Sequence, residues 1–430
     1  MREYIKHPKL GKIPSSWKGS KLSEIVDLEH GFQFRKEDFT DSGIPVIKIN
    51  NIIGNDLNLD NLSFIEPSRL EEFSRFLIKK NDILMSLTGN IGRVIEVGLI
   101  QRDFVQNYRV GKFVPVNRNE LYNRYIKYLL SSPLVLSQFF KFSNQSAQAN
   151  FGKQDMDKVW VAIPTSLPEQ QKIAEILSTV DAKIEIIDQQ ISETQELKKG
   201  LMQQLLTKGI GHTEFKDSAL GKIPKSWEVA KIQDLIDDGK IVSHLDGNHG
   251  GLYPKAEEFI HDGVPYISAN CFLSNRVDFS KCKHLSMDRS LKFKKGVAKN
   301  GDVLFAHNAT VGPVALLETD LDFVILSTTA TYFRLDNKTI DAKYWMFFLS
   351  SPVFKNQYEK VMGQSTRNQV PITMQRSFFS VLPTFKEQKE ISERISLVAQ
   401  KLEVLSEKKI TYQEMKQGLM QQLLTGKVRV

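Results

Sequence analysis

One eight-residue string occurs twice in the chain, and it constrains the fold more than any other feature. Residues 200–207 read Gly-Leu-Met-Gln-Gln-Leu-Leu-Thr, and residues 418–425 repeat that string unchanged. Leu-Gly-Lys-Ile-Pro at residues 10–14 returns in the same way at residues 220–224. Strings that return in the same order indicate that the chain consists of two copies of one unit.

The spacing between matching residues locates an insertion in the second copy. It is 210 positions at the N-terminal strings, 220 between Gly43 and Gly263, and 218 at the closing strings. About ten extra residues therefore lie between Leu235 and Gly263 of the second copy, and we expect them in a loop. A period above 200 residues is too long for a solenoid, so the chain is a duplicated domain pair.

Composition sets broad limits on the class of protein. The chain has 430 residues, 41% of them hydrophobic and 25% charged, which predicts two folded domains. A formal charge of +8 and a pI of about 9.1 are compatible with a polyanionic partner. Two cysteines cannot form a disulfide framework, and no signal peptide or membrane-spanning run is evident. We expect a soluble, cytoplasmic protein that does not contact a membrane.

Each copy ends in a long stretch with the periodicity of a coiled coil. In the first copy, apolar residues alternate in steps of four and three from Ile173 to Ile191; in the second they do so from Ile391 to Leu405. Ser166-x-x-Glu169 and Thr384-x-x-Glu387 are capping-box sequences at the two starts. Helices of about 40 residues would each be about 60 Å long and would need partners of similar length. The economical solution is that the two helices pair with each other, antiparallel.

The predicted fold is therefore α+β, with two pseudo-twofold-related mixed α/β domains, each followed by a long helix. The domain segments contain short β-rich runs between Gly, Asn and Asp turn signals. We expect the globular domains at residues 1–165 and 209–383. The helices are expected at residues 166–208 and 384–430.

The sequence contains no visible catalytic machinery. No Gly-x-x-x-x-Gly-Lys-Ser/Thr phosphate loop is present, nor a dinucleotide-binding glycine run, nor the Asp/Asn-Pro-Pro-aromatic string of amino-methyltransferases. Cys271, Cys282 and His284 fit no common zinc spacing. We expect no catalytic residues, no metal site and no cofactor bound by this chain.

Polar loops of the two domains carry side chains that can bind DNA. Arg suits guanine, Asn and Gln suit adenine, and Ser, Thr and His bind less selectively, while Lys and Arg also contact phosphates. In the first copy the candidates are Arg35, Lys36, Thr88, Asn90, Arg93, Gln106, Asn107, Arg109, Ser146 and Gln148; in the second they are His244, Asn248, His249, His307, Asn308, Thr310, Thr328, Gln364, Thr366 and Arg367. The framework strings match between copies and these loops do not, which favours two domains that recognise two different short sequences.

With these repeats, helices and loops the chain resembles the specificity (S) subunit of type I restriction-modification systems. The resemblance covers nearly the whole chain and is carried by Leu-Gly-Lys-Ile-Pro-x-Ser-Trp at the start of each unit, the Pro164…Glu169-Gln170 and Pro383…Glu387-Gln388 junctions, and the closing strings. It implies two target recognition domains, each reading one half of a bipartite asymmetric site in double-stranded DNA, with the helix pair setting the spacing.

The resemblance also implies partners. Such a subunit would bind two methyltransferase (M) subunits, which methylate adenine, and restriction (R) subunits would join to cleave DNA in a prokaryotic cell. S-adenosylmethionine, Mg and ATP would then be bound by the partner subunits. Two other interpretations of the sequence stay open: a coiled-coil scaffold with two protein-binding heads, and a self-contained DNA methyltransferase or nuclease.

Overall fold

The chain folds into two compact units, each of which contains a segment of both long helices. The computed structural model describes residues 4–54, 56–143, 150–363 and 368–430. The first unit comprises residues 1–189 and 406–430, and the second comprises residues 190–405. Each unit therefore combines one globular domain with the start of one long helix and the end of the other.

The first globular domain is built from short strands and short helices. Its strands are β1 Tyr4–His7, β2 Gly11–Pro14, β3 Trp17–Lys21, β4 Val26–His30, β5 Ile44–Ile47, β6 Ile52–Ile53, β7 Asp56–Leu57, β8 Ser63–Ile65, β9 Ile83–Ser86, β10 Val94–Glu96, β11 Val105–Gln106, β12 Val110–Pro115 and β13 Trp160–Pro164. Its helices are α1 Leu22–Ile25, α2 Asn123–Leu130, α3 Pro133–Ser143 and α4 Lys153–Met156, followed by the long helix α5 Leu167–Lys208.

Two small sheets position the loops of the first domain. One has the strand order β10-β9-β12-β4, and the other has the order β11-β5-β8, in which β11 and β5 are parallel. All four residues of β9 are buried, as are all four of β5, which is typical of strands covered on both faces. Helix α2 ends at Leu130, and Pro133 begins α3.

The second globular domain repeats this plan with more strands. Its strands are β14 Phe215–Ser218, β15 Gly221–Pro224, β16 Glu228–Lys231, β17 Ile241–Asp246, β18 Phe259–Ile260, β19 Val264–Ile267, β20 Phe272–Leu273, β21 Arg276–Val277, β22 Lys283–Leu285, β23 Val297–Ala298, β24 Val303–Asn308, β25 Thr310–Leu316, β26 Val324–Leu326, β27 Ala330–Leu335 and β28 Phe379–Leu382. Its helices are α6 Ile232–Asp237, α7 Met287–Ser290, α8 Ala342–Leu349, α9 Pro352–Met362 and α10 Ile372–Ser377, and the long helix α11 Phe385–Leu423 follows.

The sheets of the second domain correspond to those of the first. The order β25-β24-β27-β17 matches β10-β9-β12-β4, and the parallel pair β19 and β26 matches β5 and β11. The insertion is only partly a loop. Gly247 takes the place of Gly31 at a spacing of 216, so about six of the extra residues precede Gly247, in α6 and the turn before β17.

In the first unit, the start of α5 packs antiparallel to the end of α11. Lys409 Nζ lies 2.5 Å from Asp188 Oδ1, and Lys416 Nζ lies 2.6 Å from Asp181 Oδ1. The partner's number falls as the residue number rises, which defines the antiparallel direction. The predicted pairing is confirmed in this unit.

Asp181 is the centre of a buried charge cluster in the first unit. Its carboxylate accepts hydrogen bonds from Tyr128 at 2.9 Å and from Lys127 at 3.1 Å, besides the ion pair with Lys416. Burial alone would raise the pKa of Asp181, but Lys127 and Lys416 outweigh it and hold the pKa below its ordinary value. The cluster fixes the globular domain to both helices of its unit.

In the second unit, the end of α5 packs against the start of α11. Leu205 and Leu206 share one hydrophobic cluster with Ile391 and Ile395, together with Trp345 of the globular domain. The end of one helix thus meets the start of the other, so the antiparallel pairing is confirmed here as well.

The closing strings pack into the two domain cores. Met420, Leu423 and Leu424 of the second string belong to the main cluster of the first unit. Leu205 and Leu206 of the first string belong to the main cluster of the second unit. Each domain is therefore completed by the closing string of the other copy.

The start of each long helix is fixed differently from the predicted capping box. The hydroxyl of Thr384 does accept from Glu387 N, at 3.4 Å. The two carboxylates, however, accept from tryptophan indoles: Trp17 Nε1 lies 3.3 Å from Glu169 Oε1, and Trp227 Nε1 lies 3.0 Å from Glu387 Oε2. The reciprocal half of the capping box is therefore wrong, because each glutamate binds the tryptophan near the start of its own copy.

The glycines after the two long helices have a left-handed backbone. Gly209 has a φ of +66° and Gly426 a φ of +69°. A Cβ on Gly426 would lie 2.3 Å from Pro14, and one on Gly209 would lie 2.6 Å from Trp227.

None of the helices in the described part of the chain has both the length and the apolar character needed to span a membrane.

Candidate nucleic-acid interface

Loops from four parts of the first domain meet at one end of its sheets. Leu87 N donates to Arg109 O at 2.9 Å, and Phe151 N donates to Leu87 O at 2.9 Å. Phe32 N donates to the carbonyl of Gln106, also at 2.9 Å. These bonds join residues 31–36, 87–93, 106–109 and 150–151, which we call the first loop surface.

The second domain builds a corresponding surface. His307 N donates to Thr329 O at 2.9 Å, and Val370 N donates to His307 O at 2.8 Å. Gly247 N donates to Ala330 O at 3.1 Å. The second loop surface therefore comprises residues 247–249, 307–310, 327–330 and 368–370.

The two surfaces share one backbone frame. The bond between residues 87 and 109 recurs between residues 307 and 329, at a spacing of 220 for both partners. The isolated bridge between Thr88 and Asn150 recurs between Asn308 and Gln369. The 88–90 and 308–310 loops therefore correspond in the two domains.

A glycine in each surface permits the closest approach of two segments. A Cβ on Gly31 would lie 2.1 Å from the carbonyl oxygen of Gln106, and one on Gly247 would lie 2.1 Å from that of Ser327. Any side chain here would overlap with backbone. Both surfaces therefore need glycine at this position.

Half of the candidate residues present accessible side chains on these surfaces. On the first surface Arg35, Lys36, Asn90, Arg93 and Arg109 are exposed and Thr88 is partly exposed, although Thr88 Oγ1 itself is buried and has no described hydrogen-bond partner; on the second, Asn248 and Thr310 are exposed and Asn308 and Thr328 are partly exposed. The first surface therefore offers four cations next to the side-chain amide of Asn90, a combination suited to phosphates and base edges.

Five candidates are buried, and their side chains bind within the protein. Gln106 Nε2 donates to Val110 O at 2.7 Å, and Asn107 Oδ1 accepts from Arg109 N at 3.2 Å. His249 Nε2 lies 2.7 Å from the carbonyl of Leu326. The other two are His244 and His307. We do not include these five side chains among the proposed base contacts, because their polar atoms face the interior.

The buried histidines are neutral at physiological pH. Burial lowers the pKa of His244 to about 3, and it also lowers the pKa values of His249 and His307. A neutral ring supplies one donor and one acceptor and no charge for phosphate. The remaining candidates, Ser146, Gln148, Gln364, Thr366 and Arg367, lie outside the described residues.

A basic run beside the second loop surface was missed in the sequence. Lys292, Lys294 and Lys295 are exposed. The ring of Phe293 lies 4.2 Å from that of His249, and a Cβ on Gly296 would lie 2.7 Å from the Cα of Gly247. The Lys-x-Lys-Lys spacing was visible, but its proximity to the loop comes from the tertiary fold.

The described residues hold no group of three or more His, Cys, Asp and Glu side chains that could bind a metal ion. Cys271 and Cys282 are both buried and unpaired by a disulfide. The exposed cations and polar side chains of the two loop surfaces can bind a polyanion through charge and hydrogen bonds.

Comparison with known proteins identifies the family. The family model of the type I restriction modification DNA specificity domain matches residues 14–196 and 224–412. The chain belongs to this family. Its two matches coincide with the two copies seen in the sequence, and they cover most of the chain.

Curated relatives are type I specificity subunits. The chain is 27% identical to the type I restriction enzyme MjaVIII specificity subunit of Methanocaldococcus jannaschii, covering 82% of this chain and 80% of that protein. It is 24% identical to the EcoKI specificity subunit of Escherichia coli K12, covering 90% and 82%. The chain is a sequence-specific DNA-binding specificity subunit of a type I restriction-modification complex.

Solved structures show the same fold. The S subunit of the type I system of M. genitalium superposes with a TM-score of 0.59 at 14% identity, with 98% of each chain covered. A chain from a study of complex assembly and conformational transition of the type I R-M system gives a TM-score of 0.56 at 13% identity, covering 97% of this chain and 100% of that one.

Proposed function

We propose that each loop surface reads one half of a bipartite asymmetric DNA target. The observation that carries this proposal is that the two surfaces share one backbone frame and differ in side chains. Arg109 stands where the second surface has Thr329, and Asn90 stands where it has Thr310. Equal frames with different side chains suit two different half-sites.

The proposed contacts fall into two classes. Cations position the duplex through phosphates, and amide and hydroxyl groups read base edges. On the first surface these are Arg35, Lys36, Thr88, Asn90, Arg93 and Arg109; on the second they are Asn248, Asn308, Thr310 and Thr328, with Lys292, Lys294 and Lys295 beside them on phosphates. The five candidates outside the described residues stay in the proposal on their sequence alone.

We further propose that two methyltransferase subunits dock on the helices. The first unit exposes Ile186 of α5 and Met415 of α11 by 48% and 43%. Gly418 lies one turn beyond Met415, and a Cβ there would have no described neighbour within 4 Å. A glycine costs a helix about 1 kcal/mol, and close approach of a partner helix would offset that cost.

The second unit presents the equivalent residues. Leu197 and Val404 are 56% and 61% exposed, and Gly200 has no described atom within 4 Å of its Cβ position. Leu197 matches Met415, and Val404 matches Ile186, at the spacing of 218 that relates the closing strings. Two equivalent apolar patches suit two copies of one partner.

S-adenosylmethionine, Mg and ATP are assigned by this proposal to partner subunits. Methyl transfer to adenine would belong to the M subunits and ATP-dependent cleavage to the R subunits. The present chain would supply target choice, spacing and docking.

The DNA proposal is tested with the complex of the full chain and its M subunit. Footprinting should show two protected half-sites separated by an unprotected spacer, and the affinity should fall steeply with salt. Protection without sequence preference, or binding that does not change between 50 and about 200 mM salt, would contradict the proposal. Methyl transfer by the isolated chain would also contradict it.

The docking proposal is tested by counting bound M subunits. Met415→Glu and Leu197→Glu should each reduce the stoichiometry from two to one, and the double variant should abolish binding. Ile410→Glu is the matched control, because Ile410 is 54% exposed and its counterpart is Ser192. Equal loss with the control variant, or full binding by the double variant, would contradict docking at these patches.

A further inference from the structure

A buried polar layer lies directly beneath the second loop surface. His244, Thr331 and Gln375 are 3%, 0% and 0% exposed. Gln375 Oε1 accepts from Thr331 Oγ1 at 3.0 Å and lies 3.1 Å from His244 Nε2. Gln375 Nε2 donates to Val370 O at 2.9 Å. The layer therefore ends on the backbone of one loop segment.

His307 joins the same backbone carbonyl from the other side. Its Nδ1 lies 3.2 Å from Val370 O, and its own carbonyl accepts from Val370 N at 2.8 Å. One step further along, Ala309 N donates to Asn368 O at 3.1 Å, and Asn368 Nδ2 donates to Ala309 O at 3.1 Å. The contacts of His307 and Gln375 thus sit at the base of the paired 307–310 and 368–370 segments.

The first domain has an apolar layer at the same positions. Strand register pairs His244 with Phe333 and Leu28 with Phe113, so that these residues correspond. The same register, with the shared backbone bonds and the positions of α4 and α10, gives the other counterparts. The corresponding pairs are Leu28 and His244, Leu87 and His307, Gly111 and Thr331, and Met156 and Gln375.

Packing replaces hydrogen bonding in the first layer. Leu28, Leu87 and Met156 all belong to the main hydrophobic cluster of the first unit. A Cβ on Gly111 would lie 2.5 Å from Leu28 and 2.8 Å from Leu87, which shows how closely these groups pack. Phe151, the counterpart of Val370, contacts Phe139 at a ring distance of 4.4 Å.

The hydrogen-bond partners define the proton positions in the polar layer. His244 Nε2–H donates to the amide oxygen of Gln375, and His307 Nδ1–H donates to the carbonyl of Val370. Thr331 Oγ1 lies 3.0 Å from the amide oxygen of Gln375 and 3.3 Å from the carbonyl oxygen of Phe305, and its hydroxyl donates to the nearer of the two. Both rings are then neutral.

The charged groups near the layer are Arg376 and Asp246. Arg376 Nη2 donates to His244 O at 3.0 Å, and its charge helps to lower the pKa of His244, while Asp246 acts to raise that of His307. Among the described residues, His244 Nδ1 and His307 Nε2 have no partner. A second proton on either ring would therefore be a buried donor without an acceptor.

We propose that His307 and Gln375 are positioning residues for the second half-site: their bonds to the carbonyl of Val370 hold the 307–310 and 368–370 segments in the arrangement that reads DNA. This inference rests on the proposed function of the loop surfaces. Directional hydrogen bonds at the base of two loops fix their relative position, and a shift of about 1 Å is enough to impair binding. Recognition of the first half-site does not depend on this layer.

The test measures discrimination in each half-site separately. The complex of the full chain with its M subunit selects duplexes from a library randomised in one half-site at a time. His307→Leu, which copies Leu87 of the first domain, should reduce discrimination in one half-site by about tenfold, the value of one good hydrogen bond. Discrimination in the other half-site should stay unchanged.

Conservative variants separate positioning from packing. The side-chain amide of His307→Asn can donate in place of Nδ1–H, so this variant should stay within about threefold of the wild type. Thr331→Val leaves His307 in place and removes one bond to Gln375, and we expect a loss of about threefold in the same half-site. Met156→Leu, at the counterpart of Gln375 in the core of the first domain, is the control and should change neither half-site.

The outcomes distinguish a failure of the proposed function from a failure of the positioning role. A wild-type complex without sequence discrimination would refute the proposed function itself. A selective wild type with an unchanged His307→Leu variant, or one that loses both half-sites equally, would refute the positioning role alone. Failure of His307→Asn to the same extent as His307→Leu would reduce the layer to packing. If His307→Leu does not fold, Gln375→Met, which copies Met156 of the first domain and removes the other bond to Val370 O, should lose discrimination in the same half-site, and an unchanged Gln375→Met variant would refute the role.

Discussion

The two loop surfaces have the same backbone hydrogen bonds over two different supporting layers. In the first domain Leu87 N donates to Arg109 O and Leu87 O accepts from Phe151 N; in the second, His307 N donates to Thr329 O and His307 O accepts from Val370 N. Beneath them, one domain places leucine and methionine and the other places histidine and glutamine. The frame is thus independent of the chemistry below it, so each copy can acquire its own specificity without losing its fold.

The largest expected effect comes from the glycines that both frames share. Gly247→Ala should destabilise the second unit by about 3 kcal/mol, because the new methyl group would overlap with the carbonyl of Ser327. Gly31→Ala should have an equal effect on the first unit. Hydrogen exchange of the full chain, followed peptide by peptide, measures both.

Gly251→Ala is the control for this comparison, because a Cβ there would have no described neighbour within 4 Å. It should change stability by less than about 0.5 kcal/mol. Unequal effects of the two shared-glycine variants would show that the frames differ.

A second difference lies at the helices, where the first unit buries the ion cluster around Asp181. Asp181→Asn leaves Lys127 and Lys416 without a carboxylate and should cost about 3 kcal/mol. The counterpart of Asp181 is Ala399, so the second unit should not respond. Glu185→Gln, on the exposed side of α5, is the control. Hydrogen exchange followed during unfolding in urea measures the stability of each unit.

The pH dependence of this cluster has a definite sign. The pKa of Asp181 is lower in the folded protein than its ordinary 3.8, so its stabilisation is complete above pH 3.8 and is lost as the pH falls below that value. A first unit that keeps its full stability well below that pH would contradict the arrangement.

Mild acid should destabilise the second unit selectively. His244 has a pKa of about 3 when folded against 6.5 when unfolded, so the unfolded state binds an additional proton below pH 6.5. We expect a loss of about 1.4 kcal/mol for each pH unit below 6.5 until the folded pKa is reached. Hydrogen exchange at pH 7 and pH 5.5, corrected for the intrinsic pH dependence of amide exchange, measures this loss of stability. His244→Leu should reduce the slope of stability against pH. Equal slopes in the two units would contradict this difference.

The smallest expected effect concerns the basic run at residues 292–295. Lys294→Ala with Lys295→Ala should weaken binding to all sequences alike and reduce the slope of log affinity against log salt by about two. The counterparts in the first copy are Ser74 and Arg75, so this contribution belongs mainly to one half of the target. Lys338→Ala, an exposed lysine in another turn, is the control. A loss confined to one sequence would identify base reading instead.

The repeats and periodicities predicted the architecture because they are local signals. The closing strings, the two helices and the duplicated strands follow directly from spacing and hydrophobic pattern. The partners of Glu169 did not, because its carboxylate binds Trp17, which is 152 residues away in the chain. A capping-box sequence cannot distinguish a nearby amide from a distant indole.

The candidate site was predicted only as a set of loops. Residue type indicated Gln106 and His307 as DNA contacts, yet tertiary packing turns both inward, and only the three-dimensional pairing of strands shows that His307 corresponds to Leu87. Lys294 and Lys295 were overlooked for the converse reason, since a short basic run is informative only when its neighbours in space are known.

Each domain should read one half of the target independently of the other domain. The most direct measurement is the methylated adenine motif of a whole genome, determined with the wild-type gene and with residues 1–165 replaced by the first domain of another family member. One half of the motif should change while the other half and the spacer stay the same. Changes in both halves, or an unchanged motif, would contradict it.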